Sequence, residues 1–164
     1  MTNCCSDKPM PSLAPGGIAC AHCGGIGRQV STLTLKHMVK PQFLAMVTKP
    51  GFRFCASPDC DVVYFHPDGQ QLCKTDLRVR VGLKEAEEPA PLCYCFGFTR
   101  AMIFQELCTD GHSRIPNVIA AELKAGNCDC EVRNPQGSCC LGNIAAAIKR
   151  WQKMHGQTSA ITTC

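Results

Sequence analysis

Fifteen cysteines in 164 residues constrain this chain more than any other feature, and they are bunched rather than scattered. Six of them form three clumps between residues 92 and 143: Cys93-Tyr94-Cys95, Cys128-Asp129-Cys130 and Cys139-Cys140. Two thiolates one residue apart cannot chelate one tetrahedral ion without strain. They can bind one iron of a two-iron cluster, or two neighbouring irons, because the cluster is a larger target. The stretch therefore reads as a four-thiolate [2Fe–2S] site.

A second thiolate group lies upstream. Cys20-Ala21-His22-Cys23 with Gly24-Gly25 after it, and Cys55-Ala56-Ser57-Pro58-Asp59-Cys60, are two knuckles with spacers of two and four residues. Four soft thiolates suit tetrahedral d10 zinc and leave no open coordination position, so Cys20, Cys23, Cys55 and Cys60 predict a structural zinc site. His22 could displace one thiolate, but a side chain pointing elsewhere is expected.

Composition fits a metal-stapled protein. Aromatics are only 6% and the 45% hydrophobic content includes all the cysteines, so the aliphatic core is modest. Residues 1–6 carry no basic stretch and no apolar run follows, so no secretory leader is expected. The expected compartment is a reducing cytoplasm, in which thiols serve as metal ligands rather than disulfide halves. No run approaches membrane-spanning length. The formal charge is +4. Zinc on four thiolates and an oxidised [2Fe–2S] centre on four each carry about −2, which brings the sum close to neutral. Lys and Arg are also dispersed, so neither nucleic acid nor membrane insertion is expected. There is no Ser/His/Asp set and no phosphate-cradling glycine loop, which points away from an enzyme and toward electron transfer or metal trafficking.

The local patterns predict an α+β chain: a small zinc-ribbon-like β lobe followed by a lobe of short helices. Residues 1–17 read as a flexible tail, in which Cys4 and Cys5 could capture a soft ion such as copper. Residues 18–88 form the zinc-binding domain, 89–155 the [2Fe–2S] domain, and 156–164 a second tail. Within the first domain, residues 33–47 read as a short helix broken at Pro41, Val62–Phe65 as a strand, and Asp68-Gly69 as a hairpin turn. Leu77, Val79 and Val81 alternate with arginines and read as another strand. Residues 84–91 are charged and proline-bearing, so they read as a linker. In the second domain Thr99 is an N-cap, Gly111 and Gly126 are helix stops, Pro116 fits a first turn, and residues 141–151 mark the last helix. Cys95 and Cys140 are each expected just before a helix, where free N–H groups stabilise thiolate. Cys73 and Cys108 read as packing residues, and His37, His66, His112 and His155 as surface histidines.

The C-x-C start, some thirty helical residues, and a closing cysteine pair before a last helix resemble the bacterioferritin-associated ferredoxin-like [2Fe–2S] domains. The phrases at 93–99 and 130–143, with Pro58-Asp59-Cys60-Asp61-Val62-Val63-Tyr64-Phe65 upstream, resemble the N-terminal half of the CopZ-type copper chaperones over residues 18–153. That resemblance implies a zinc lobe joined to a [2Fe–2S] lobe that supplies an electron to convert Cu(II) to Cu(I). In fuller members a C-terminal carrier domain then hands copper to an export ATPase. This sequence has no room for such a domain, so the carrier is expected to be a separate polypeptide, with a redox partner as electron source. For the cluster ligands the resemblance favours Cys93, Cys95, Cys130 and Cys140, with Cys128 and Cys139 as alternates. The rival reading is a stand-alone [2Fe–2S] carrier docking on a reductase or iron-storage protein, or a binding module in which the metals are only scaffold.

Overall fold

The computed structural model describes residues 17–156. After β1 (Arg28–Gln29), α1 (Thr32–Met38) starts at Ser31, whose hydroxyl accepts the Thr34 N–H at 3.1 Å. Val39 leaves the helix in extended conformation, and Pro41 then opens a 3-10 helix over Pro41–Val47. The expected break at this proline is observed. β2 (Arg53–Phe54), β3 (Val62–Phe65) and β4 (Gln71–Cys73) complete an antiparallel sheet in the order β1-β2-β3-β4. Gly69, at φ 96°, supplies the left-handed residue that the Asp-Gly turn between β3 and β4 requires.

One strand expectation fails. Leu77 and Val81 are buried and Arg78 and Arg80 exposed, as the alternation requires, but the segment joins no ladder. It lies extended beside the end of α1, through a single bridge between Leu77 and Val39 and an Arg78 N–H to Met38 carbonyl bond of 2.8 Å. A period of two reports one buried side of an extended chain and does not identify the partner.

The second region opens with a hairpin of β5 (Pro91–Cys93) and β6 (Phe98–Thr99), which the sequence reading did not foresee. It continues with α2 (Arg100–Asp110), α3 (Ile115–Lys124), the single turn α4 (Cys130–Arg133) and α5 (Leu141–His155). Thr99 caps α2, left-handed Gly111 ends it, and Pro116 sits in the first turn of α3, all as expected. The helices close on Leu92, Ile103, Leu107, Ile115, Ile119 and Ile144. The β side has its own core of Leu35, Val47, Phe52, Phe54, Tyr64 and Leu72. Among the described residues no helix is long and apolar enough to cross a membrane.

The charged segment after Arg80 is held rather than loose. Arg80 donates to the Pro89 carbonyl and to Glu85, both at 2.9 Å. Arg100 donates to the carbonyls of Glu85 and Ala86 at 3.1 and 3.2 Å and pairs with Glu88. The regions also meet where α4 packs on α1. There Ser31 donates to Glu131 at 2.8 Å, and the buried Tyr64 hydroxyl donates to the Pro135 carbonyl. Gly137 has φ +63°, and a Cβ on it would lie 2.6 Å from Thr34 Oγ1. Both the backbone and the space therefore select glycine.

Candidate metal centres

The first centre is assembled by two turns and a strand. Cys20 and Cys23 sit on a knuckle closed by the bonds Gly24 N–H to Cys20 O (2.7 Å) and Cys20 N–H to Gly25 O (2.8 Å), with Gly24 at φ 74°. Cys55 follows β2 and is fixed by its N–H to the Val63 carbonyl at 2.8 Å. Cys60 closes the second knuckle through its N–H to the Ser57 carbonyl. The four sulfurs lie within 4.8 Å of one another. Cys20, Cys55 and Cys60 are buried, whereas Cys23 is exposed, its sulfur 3.2 Å from Ser57 Oγ. The exposed His22 is outside the group.

The electrostatics of this quartet call for a dication. The neighbouring Cys55, helped by burial, pushes the Cys20 thiol up. The neighbouring Cys20, reinforced by the Ser57 N–H and by Cys23, whose sulfur lies 3.5 Å away, holds Cys55 down at about 4. Burial, with the Cys55 charge beside it, raises Cys60 to about 11. One thiolate is thus stable here without metal, and each further one is opposed by burial and by its neighbour. A bound divalent ion removes that opposition, and four sulfurs at this spacing fit zinc.

The second group has a different geometry. Cys93 is buried at the end of β5 and Cys95 lies in the turn to β6. Cys130 opens α4, and the buried Cys140 is the N-cap residue of α5. The Cys95 and Cys130 sulfurs are 3.7 Å apart. Burial, with Cys93 beside it, pushes the Cys140 thiol up. Burial and the Cys95 contact raise Cys130 to about 12. Among the described residues no three of these sulfurs gather within 4.8 Å, in contrast to the first centre. The group holds the close pair Cys95 and Cys130 and is not one tetrahedron.

One local expectation is corrected. Cys140 stands at a helix start, but Cys95 does not, because β6 intervenes before α2. The N–H that reaches the Cys95 sulfur comes from Asp129 at 3.3 Å. The spare cysteines lie alongside: Cys139 is exposed, and half-buried Cys128 is raised by desolvation and by the charges of Cys95, Cys139 and Cys93. Cys73 is buried beside Cys20, Cys55 and Cys60, as a packing residue should be. Cys108 in α2 is exposed, contrary to the packing role expected of it. Cys4 and Cys5 lie outside the described residues.

Lys84 was missed altogether in the sequence, where it reads as the start of a linker. Its side chain is buried, and its ammonium donates to the carbonyls of Ser57 and Cys60 in the second knuckle, at 2.7 and 2.9 Å.

Comparison with known proteins agrees with the first centre. Residues 18–78 match the CopZ family model described as a zinc binding domain. The copper chaperone CopZ of Archaeoglobus fulgidus is 35% identical over 121 residues, which are 74% of this chain and 57% of that protein. The X-ray structure of the N-terminal domain of A. fulgidus CopZ superposes with a TM-score of 0.68 at 33% identity, covering 79% of this chain and 96% of that one. The chain therefore spans a little over half of the curated relative's length.

Proposed function

The chain belongs to the CopZ-type zinc-binding domain family, and from that premise we propose that it is a metallochaperone-like protein of copper homeostasis. Residues 18–88 are its zinc lobe, held by Cys20, Cys23, Cys55 and Cys60. Residues 89–155 are a redox lobe that holds a [2Fe–2S] cluster on Cys93, Cys95, Cys130 and Cys140. The observation that carries this reading is the pairing of the second sulfur group. Cys95 stands 3.7 Å from Cys130, and Cys93 and Cys140 lie in the same buried cluster beside them. Two sulfurs per iron on two irons is the demand of a binuclear centre, whereas a lone zinc draws four together.

A [2Fe–2S] centre, when bound, supplies a single electron, which is enough to convert one Cu(II) to one Cu(I). The chain's own groups do the rest. The Asp129 N–H stabilises the Cys95 thiolate. Ile103, Leu107, Ile119 and Ile144 shield the inner side, behind Cys93 and Cys140. Exposed Cys139 and half-buried Cys128 mark the side from which a copper ion approaches. Cu(I) prefers thiolates, so the reduced ion suits transfer to a cysteine-bearing copper carrier or an export ATPase in the cytoplasm. A redox partner protein restores the electron.

The test is anaerobic. Reduced protein is mixed with Cu(II) and a chromogenic Cu(I) chelator. One Cu(I) formed per centre reoxidised, at a rate lost in Cys95→Ser, is expected. No reoxidation by Cu(II), or Cu(I) formation unaffected by Cys95→Ser, would refute the reading.

A further inference from the structure

The least expected charge in the molecule is Lys84. It is 5% exposed, and its ammonium is bonded to two carbonyls of the knuckle that carries Cys60. Among the described residues no carboxylate forms an ion pair with it; neighbouring Asp61 is engaged by Lys74 at 2.9 Å. A buried ammonium without an anion is costly, and buried charges are ordinarily paired. Its bond to the carbonyl of Cys60, one of the four gathered thiols, sets it beside the metal centre. Four thiolates around a divalent ion leave a net charge of about −2 in a buried setting.

The backbone that delivers Lys84 is itself fixed from the other region. Residues 82–84 form one 3-10 turn pressed against β5, so closely that a Cβ on Gly82 would fall 1.6 Å from the Pro91 carbonyl oxygen. Tyr94, between Cys93 and Cys95, accepts the Gly82 N–H and donates to the Arg80 carbonyl, both at 2.9 Å. The chain of contacts runs from the Cys93-Tyr94-Cys95 loop, through the turn, to the ammonium on the zinc knuckle.

We infer that Lys84 is the resident counter-cation and positioning residue of the four-thiolate centre, and that Tyr94 holds it in place from the neighbouring sulfur group. The inference uses the zinc fit alone, so it stands or falls independently of the iron reading.

The test is release of zinc from the full-length, zinc-loaded protein to a chromophoric chelator, with the global unfolding rate followed in parallel. Lys84→Gln keeps a donor but removes the charge, Lys84→Arg keeps the charge, and Tyr94→Phe removes the hydroxyl that sets the turn. Ile119→Val, in the helical core, is the stability control. Lys84→Gln is expected to release zinc at least about tenfold faster and Tyr94→Phe about fivefold faster, with Lys84→Arg within about threefold of wild type. The control should not change, and the Co(II)-substituted Lys84→Gln site should show displaced d–d bands. Release from Lys84→Gln or Tyr94→Phe within about twofold of wild type overturns the inference, as does an arginine variant that behaves like glutamine. If Lys84→Gln does not fold, Lys84→Arg and Tyr94→Phe decide by the same limits.

Discussion

Tyr64 and Pro135 are 71 residues apart in sequence, yet the buried phenol of one donates to the carbonyl of the other at 2.5 Å. The bond ties the central strand of the zinc-side sheet to the loop between Cys130 and Cys140. Through it the sheet supports half of the second sulfur group. Tyr64→Phe leaves the Pro135 carbonyl without its partner. A loss of about 1–3 kcal/mol is expected, measured by denaturant unfolding; unchanged stability would show that the contact is dispensable.

Both tyrosines also make the fold alkali-sensitive. Burial pushes Tyr64 well above the ordinary phenol range and Tyr94 up to about 12. In the unfolded chain both ionise near pH ~10. The stabilisation is therefore full below that pH and is lost as pH rises toward the folded values, because the unfolded state alone releases protons there. Tyrosinate absorbance should stay flat through pH ~10 and rise together with loss of circular dichroism. A separate tyrosinate step near pH ~10 in folded protein would contradict this.

Gly137 lets α4 sit on α1. Gly137→Ala must both hold a left-handed backbone and push Thr34 aside. The expected cost is about 1–3 kcal/mol, read from thermal or denaturant unfolding. Because α4 begins with Cys130, the same variant should lose visible absorbance faster in air than the wild type. Equal stability and equal colour retention would mean that the α4–α1 contact is not a support.

The six cysteines of the second group should divide sharply. Cys95→Ser and Cys130→Ser remove one sulfur of a pair 3.7 Å apart and should yield protein without iron. Cys128→Ser and Cys139→Ser should keep full iron content. Iron retained in Cys130→Ser but lost in Cys128→Ser would exchange their roles.

Much of this was legible in the chain because it is encoded locally. The two knuckle spacings, the Thr99-to-Gly111 boundaries of α2, Pro116 at the start of α3, and the Asp-Gly turn each rest on a few adjacent residues. What stayed hidden depends on distant partners. The Leu77–Val81 alternation described an extended segment but not its neighbour, the end of α1. The β5–β6 hairpin is only three and two residues long, too short for a periodic signal, and it separates Cys95 from the helix start expected beside it. Single-turn α4 gives no pattern, yet it carries Cys130. Lys84 resembled a linker charge because nothing in its neighbourhood announces the Ser57 and Cys60 carbonyls 27 and 24 residues away.

The central claim is that two separate sulfur groups hold two different metals. Metal and sulfide analysis of anaerobically purified protein, with EPR after reduction, tests it most directly. About two irons, two sulfides and one zinc per chain are expected, with an S = ½ signal on one-electron reduction. Colourless protein containing more than one zinc and no iron would contradict it.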